Sequence, residues 1–177
     1  MEALKDTSHA SVDSFIHARK AKFTMNLSPA SLLLAFLDWS INLADSPGKQ
    51  YHIAEDFNKK ITDYWDYTLR TFLRGDREPE KPITTDPRFQ AEAWQQSPFI
   101  FIYQAFLLFE DWWQNTTIGL PGVSCQNQNI VRFAARQIID ILSPANFLWT
   151  NPILLRVTWE QGGQNLLRGW ENMLEDW

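Results

Sequence analysis

The sequence predicts an all-α fold: a compact multi-helix domain of about six or seven helices, with no sheet. Apolar residues recur at three- and four-residue steps over long segments, as on one face of an α-helix. A small polar residue followed by Pro, a helix start signal, opens three of the predicted helices. No run of four or more residues alternates convincingly between apolar and polar, so the pattern requires no strand.

The N-terminal part contains three predicted helices. The first covers about 10–24. The second starts at Ser28-Pro29, continues to about Ala44 and is apolar nearly all round, which predicts burial on several sides. The third covers about 50–74 and carries one apolar stripe, predicted to be buried, with Gly75 after it as a C-cap.

A linker is predicted over 75–88, because Gly75 to Arg88 contains three Pro and seven charged residues without an apolar stripe. It separates an N-terminal helical region, 1–74, from a C-terminal one, 89–177. Each region alone would have a thin core, so we expect the two to pack into one unit.

The C-terminal region contains four predicted helices, three of which have clear boundaries. One starts at Ser97-Pro98 and reaches about Trp113, one covers 126–142, and one starts at Asn151-Pro152 and reaches about Gln161. The fourth covers about 164–176. Asn146 and Asn151 are predicted to cap helices. Four glycines lie where helices are expected to stop: Gly48, Gly75, Gly119 and Gly162.

The charge distribution narrows the range of partners. The net charge of −5 argues against a nucleic-acid surface, which needs a basic patch. Residues 89–177 hold only four basic and eight acidic side chains and are rich in Trp. A charge-poor, aromatic segment of this kind is typical of a chain whose surface is covered by its own core or by a partner.

No catalytic, cofactor-binding or metal-ligating residue is predicted. The three histidines, His9, His17 and His52, lack the spacing that places two ligands and a carboxylate on one helix face. Phosphate-binding loops and hydrolase nucleophile elbows are missing. Cys125 has no histidine downstream, so a structural thiol is favoured over a nucleophile, and a single Cys fits a reducing compartment. No apolar run is long enough for a transmembrane segment.

Binding is expected to depend on exposed aromatic side chains. The interaction candidates are Trp112, Trp113, Trp159, Trp170 and Trp177, and the alternative for each is a place in the core. The acidic and aromatic residues 110–113 and 171–177 suggest a carbohydrate or peptide groove, although helix ends explain them equally well. Basic residues near Phe15 suggest an interfacial helix on an anionic surface, for which a solvated face is the alternative: His17, Arg19, Lys20 and Lys22.

Two stretches resemble the N-terminal part of polyhydroxyalkanoate synthases. Residues 27–50, LSPASLLLAFLDWSINLADSPGKQ, are similar to the short region at the start of that family. Residues 86–177 are similar to the domain that precedes the catalytic domain. The matching positions there are Asp86-Pro87-Arg88-Phe89, Trp94, Ser97-Pro98, Arg132-Phe133, Ser143-Pro144-Ala145-Asn146-Phe147, Thr150-Asn151-Pro152, Gly162-Gly163 and Gly169.

The resemblance implies a helical domain without catalytic residues. Enzymes of this family polymerise (R)-3-hydroxyacyl groups from coenzyme A thioesters, using Cys, His and Asp on an α/β-hydrolase fold. No position of this chain matches those residues, Cys125 included, and the catalytic domain is expected to begin at about Trp177. The implied partners are the synthase catalytic domain, a second copy, and the polyester granule surface or phasin-like proteins, in the cytoplasm. The alternative is a stand-alone helical protein on a granule or lipid surface.

Overall fold

A computed structural model describes residues 28–74 and 81–175. These ranges contain six α-helices and three short 3-10 turns but no strand, which confirms the predicted all-α class. The predicted helix over 10–24, the cap at Gly75 and Trp177 lie outside the described residues. The helices are α1 (Pro29–Ala44), α2 (Pro47–Arg74), α3 (Phe99–Thr117), α4 (Cys125–Ile141), α5 (Pro152–Glu160) and α6 (Gln164–Glu175).

The described chain divides into two compact units. The first contains residues 28–47 and 117–134, and the second contains residues 48–74, 81–116 and 135–175. Helices α3 and α4 each contribute to both units. The division of the chain at 75–88 remains a prediction.

An aromatic cluster forms the core of the second unit. Phe89 stacks on Tyr103, with ring centroids 5.1 Å apart, and meets the edge of Trp94 at 4.8 Å. Both geometries are favourable for aromatic rings. The cluster also includes Tyr67 of α2 and Leu107 of α3. Phe89 and Trp94 thus anchor the segment before α3 onto the helices.

Polar side chains fix the same segment to α3. Gln104 is fully buried, and its amide donates to the carbonyl of Thr84 at 2.7 Å and accepts from the Thr84 N–H at 3.1 Å. The amide of Gln95 donates to the carbonyl of Phe89 at 2.8 Å, and the Tyr103 hydroxyl donates to Gln95 Oε1 at 3.1 Å. These side chains pair backbone groups that burial would otherwise leave without partners.

The first unit packs α1 against the start of α4. Trp39 and Ala35 of α1 are buried together with Leu120 and Val131. Asp38 of α1 accepts a hydrogen bond at 2.6 Å from Asn127 of α4.

A glycine allows the chain to approach the side chain of Asn42 closely in the first unit. Gly122 has a φ of +87°, and a Cβ at this position would collide with the amide oxygen of Asn42. Only glycine fits this approach without strain.

Most of the observed helix boundaries agree with those predicted from the sequence. Asn151 caps α5 as predicted, since its Oδ1 accepts from the N–H groups of Ile153 and Leu154. Asn146 caps the C-terminal end of α4, because its side-chain amide donates to the carbonyls of Asp140 and Ile141.

Helix α1 begins directly after Ser28, as predicted, although the Ser28 side chain makes no capping hydrogen bond to it. Two predictions about where helices stop are wrong. Helix α3 begins at Phe99, after Ser97-Pro98, and extends past Trp113 to Thr117. Gly48 does not end a helix but lies in the first turn of α2, where the space around it is open.

The predicted burial of α1 and α2 is also wrong in part. Only Ala35 and Trp39 of α1 are buried, although the helix is apolar nearly all round. The apolar stripe of α2 is largely exposed, and Phe72 is 79% exposed. Sequence periodicity identified apolar faces correctly but not whether this chain covers them.

The aromatic cluster predicts a large stability difference between two tryptophans. Trp94→Ala is expected to lower the free energy of unfolding by about 3–5 kcal/mol, because it leaves a cavity in the core of the second unit. Trp159→Ala is the control and should change it by less than about 0.5 kcal/mol, since Trp159 is 89% exposed. Urea unfolding followed by circular dichroism measures both, and equal effects would contradict the assigned core.

Candidate association surface

One face of α2 is covered by α3 within the second unit. The rings of Phe57 and Trp112 lie 5.1 Å apart. The Trp112 indole donates to the carbonyl of Ile53 at 3.0 Å, and Lys60 lies 2.6 Å from Asp111. Positions 53, 57 and 60 share one helix face, so this face is the one that packs.

The adjacent face of α2 is exposed and apolar. It consists of Trp65, Leu69, Phe72 and Leu73, each more than half exposed, and is called the α2 stripe below. Steps of three and four residues place these side chains in one row. Large apolar groups in a continuous row on a surface are typical of a site that another body covers.

A second exposed apolar surface lies on α6. None of the residues of α6 is buried, although apolar side chains recur along it at helical spacing. Asn165 ties the helix to Thr158 of α5 through a 2.8 Å hydrogen bond. The apolar side chains that remain exposed are Leu166, Leu167, Trp170, Met173 and Leu174.

The structure separates the tryptophan candidates into two groups. Trp159 and Trp170 are exposed and available for contact, whereas Trp112 and Trp113 are half-buried on α3. The ring centroids of Trp112 and Trp113 lie 5.9 Å apart.

Two exposed tryptophans were not among the candidates. Trp65 belongs to the α2 stripe and Trp149 is 80% exposed in the turn before α5. The helical spacing of Trp65 with Leu69 and Phe72 could have indicated the first. Trp149 has no such periodic signal.

A small apolar groove lies between α2 and α3. Its volume is about 110 Å³, and its lining includes Phe57, Ile61, Tyr64 and Phe109, with Lys60 at the edge. Burial alone lowers the pKa of Lys60, but hydrogen bonds and charges from Asp111 and Asp56 outweigh it, so the pKa is raised. Lys60 therefore stays a paired ammonium and offers no free base to a ligand in the groove.

Arg88 connects three carboxylates on different segments. Its guanidinium lies 2.9 Å from Asp86, 2.7 Å from Glu110 of α3 and 3.0 Å from Asp140 of α4. It also lies over the rings of Phe89 and Phe106. The Arg88 hydrogen bond holds the pKa of Asp86 below its ordinary value of 3.8. This cluster fixes the segment that carries Phe89.

The described residues form no candidate metal site. Within 28–74 and 81–175, no group of three or more His, Cys, Asp and Glu side chains is placed to hold a metal ion. Cys125 is exposed at the first position of α4. None of the described helices is both long and apolar enough to cross a membrane.

These features define an all-α domain with extensive exposed apolar surface. The sequence profile described as "Poly-beta-hydroxybutyrate polymerase (PhaC) N-terminus" matches residues 85–177, and that described as "Poly-beta-hydroxybutyrate polymerase N terminal" matches residues 7–49. Since the first match alone covers more than half of the chain, the chain belongs to the poly-beta-hydroxybutyrate polymerase N-terminal family. The resemblance seen in the sequence is thereby confirmed.

The curated relatives are poly(3-hydroxyalkanoate) polymerases. The poly(3-hydroxyalkanoate) polymerase of Methylorubrum extorquens is 33% identical over 132 residues, which is 73% of this chain and 22% of that protein. The PhaC subunit of Rhizobium meliloti is 36% identical over 117 residues, 64% of this chain and 19% of that protein. The PhaC subunit of Cupriavidus necator is 30% identical over 141 residues, which is 79% of this chain and 23% of that protein. The chain spans about a fifth of their length, and no solved structure matches it.

The Arg88 cluster predicts a stability loss that a second substitution partly restores. Arg88→Met is expected to lower the free energy of unfolding by about 2 kcal/mol or more, because it leaves Glu110, whose side chain is only 10% exposed, without its ion pair. Arg88→Met/Glu110→Gln should recover part of this loss. Arg136→Met should have little effect, since Arg136 pairs with Asp140 only loosely at 3.9 Å. Urea unfolding measures all three, and equal losses for Arg88→Met and Arg136→Met would contradict the account.

The lowered pKa of Asp86 predicts a specific pH dependence. A carboxylate with a lowered folded pKa stabilises the fold above its unfolded pKa, and this contribution is lost as the pH falls through the folded pKa. The difference in unfolding free energy between wild type and Asp86→Asn should therefore be full at about pH 6 and shrink below about pH 4. Glu171→Gln on α6 serves as the control. A difference that is constant across this range would refute the assigned Arg88 contact.

Proposed function

We propose that this chain acts through association as the non-catalytic N-terminal domain of a polyhydroxyalkanoate synthase. In this role it supports the catalytic domain that makes polyester from (R)-3-hydroxyacyl-coenzyme A. It also contributes to dimerisation and to contact with the polyester granule or with phasin-like proteins. Family membership supports the assignment to a polyhydroxyalkanoate synthase, and the exposed apolar surface supports a role in association.

The observation that carries the proposal is the α2 stripe. Its four side chains include Trp65 and Phe72, and aromatic side chains are enriched in the central, energetically important parts of protein interfaces. Exposed charged residues flank it, among them Lys59, Asp63 and Arg70. An apolar centre within a charged rim is the usual composition of a protein–protein contact.

The tryptophans Trp159 and Trp170 supply a second candidate contact surface. Their rings add large apolar area while the indole N–H remains available to a polar partner, which suits a boundary between protein and solvent. Trp112 contributes less to such a surface, because its indole is already bonded to Ile53 inside the second unit. The proposed partner of both surfaces is protein: the catalytic domain or a second copy.

The alternative is a stand-alone protein that coats a granule or lipid surface without any synthase. It shares the exposed apolar surface but requires no catalytic partner. Binding to a separately supplied catalytic region therefore distinguishes the two functions.

The proposal predicts binding in trans. The purified 177-residue chain should release no coenzyme A from 3-hydroxybutyryl-coenzyme A, and should co-elute with a polyhydroxyalkanoate synthase from which the corresponding N-terminal region has been removed. Trp65→Ser/Leu69→Ser/Phe72→Ser should weaken this binding at least about tenfold, because each change removes buried apolar area.

His52→Ser/Glu55→Ser, at exposed polar positions near the start of the same helix and outside the α2 stripe and its charged rim, is the matched control and should bind like the wild type. Release of coenzyme A by the chain alone would contradict the proposal. Flotation with granules in the absence of any binding to the catalytic region would favour the stand-alone alternative instead.

A further inference from the structure

Helix α1 carries an apolar face that differs from the α2 stripe. At 100° per residue, Leu33, Leu34, Leu37 and Ile41 lie within about 100° of arc, on the side opposite the buried Trp39. All four are exposed, Leu34 by 65% and Ile41 by 60%. These four side chains are called the α1 face below.

The α1 face has no ionised group of its own. Asp38 is the single ionisable residue between Pro29 and Ala44, and it lies outside the face. One of its carboxylate oxygens accepts from Asn127 at 2.6 Å and the other from Asn42 at 3.0 Å. Hydrogen bonds from side chains of the first unit therefore stabilise the charge of Asp38.

Two other polar side chains of α1, those of Ser40 and Asn42, are also bonded internally. The Ser40 hydroxyl, at the edge of the face, donates to the carbonyl of Phe36 at 2.7 Å. The Asn42 amide donates to the carbonyl of Asp38 at 2.8 Å. If the α1 face is removed from water, these polar groups therefore keep their hydrogen-bond partners. Burying the face against a medium without hydrogen-bond donors then costs little free energy, because no polar group is left unpaired.

The two apolar surfaces therefore match different partners. Charged side chains such as Asp63, Asp66 and Arg70 lie beside the α2 stripe and suit the polar rim of a protein interface. Residues 28–46, in contrast, contain no Lys or Arg, and helices that lie on anionic lipid usually present such residues. An uncharged face with internally paired polar groups complements a neutral apolar phase.

We propose that the α1 face is the surface through which this chain contacts the polyester itself. This inference rests on the proposed function, which supplies the polymer. A poly(3-hydroxyalkanoate) presents aliphatic groups and ester oxygens, which accept hydrogen bonds, and its chain interior has neither charge nor donor. The α1 face, which offers apolar area and has no carboxylate to desolvate, fits this surface.

The test is cosedimentation of the 177-residue chain with amorphous poly(3-hydroxybutyrate) particles. Leu34→Gln/Leu37→Gln/Ile41→Gln should weaken binding at least about tenfold, because it removes apolar area from the contact. The matched variant Trp65→Gln/Leu69→Gln/Phe72→Gln should stay within about twofold of wild type. Binding of the wild type should change little between low and high salt, since no charge pair is involved.

Circular dichroism and urea unfolding verify that each variant is folded; Gln is a good helix former, and all six positions are exposed. If the α1 triple variant does not fold, Leu34→Gln alone should still weaken binding by about threefold. If the α2 variant loses binding to the particles while the α1 variant keeps it, the inference is overturned and the proposed function is left intact.

Two further outcomes would also overturn the assignment to polyester. One is equal binding to phosphatidylcholine–phosphatidylglycerol vesicles, and the other is binding to the particles that salt abolishes. If the wild type does not bind the particles at all, granule contact fails as well, while the binding to the catalytic region described above still tests the rest of the proposed function.

Discussion

The second unit depends on one constraint, the docking of the segment that carries Arg88 and Phe89 onto α3. Phe89 enters the aromatic cluster with Trp94 and Tyr103, and Arg88 pairs with carboxylates on α3 and α4. The fully buried Gln104 binds the backbone of the same segment through two hydrogen bonds. Hydrophobic burial supplies the stabilisation, and the ion pairs and hydrogen bonds select one arrangement of the segment.

This docking has a consequence for the surface. Helix α3 buries its residues against the 81–96 segment and against one face of α2, through contacts such as that of Phe57 with Trp112. The α2 stripe and the apolar side of α6 remain uncovered by the described residues. In the first unit, α1 likewise uses Trp39 and Ala35 for packing and leaves its opposite face exposed. These uncovered faces are the basis for a proposed role in association.

Much of the fold was predictable from the sequence, because helix signals are local. The Asn151 cap, the glycine after α5 and the periodicity of α4 determine boundaries within a few residues. Burial was not predictable in the same way, since α2 has apolar residues on two adjacent faces and periodicity does not say which face meets α3. The interaction candidates show the same limit: Trp159 is exposed, whereas Trp112 is half-buried by Phe57, a contact that depends on tertiary structure.

The most direct test of the account is oxidative footprinting of tryptophan in the chain alone and in the presence of a synthase catalytic region. The central claim is that the exposed aromatic surface functions by being covered. The account predicts that Trp65 and Trp170 are oxidised readily in the free chain and are protected in the complex, whereas the buried Trp94 is protected in both states. Unchanged oxidation of Trp65 and Trp170 when the catalytic region is bound at saturation would contradict it.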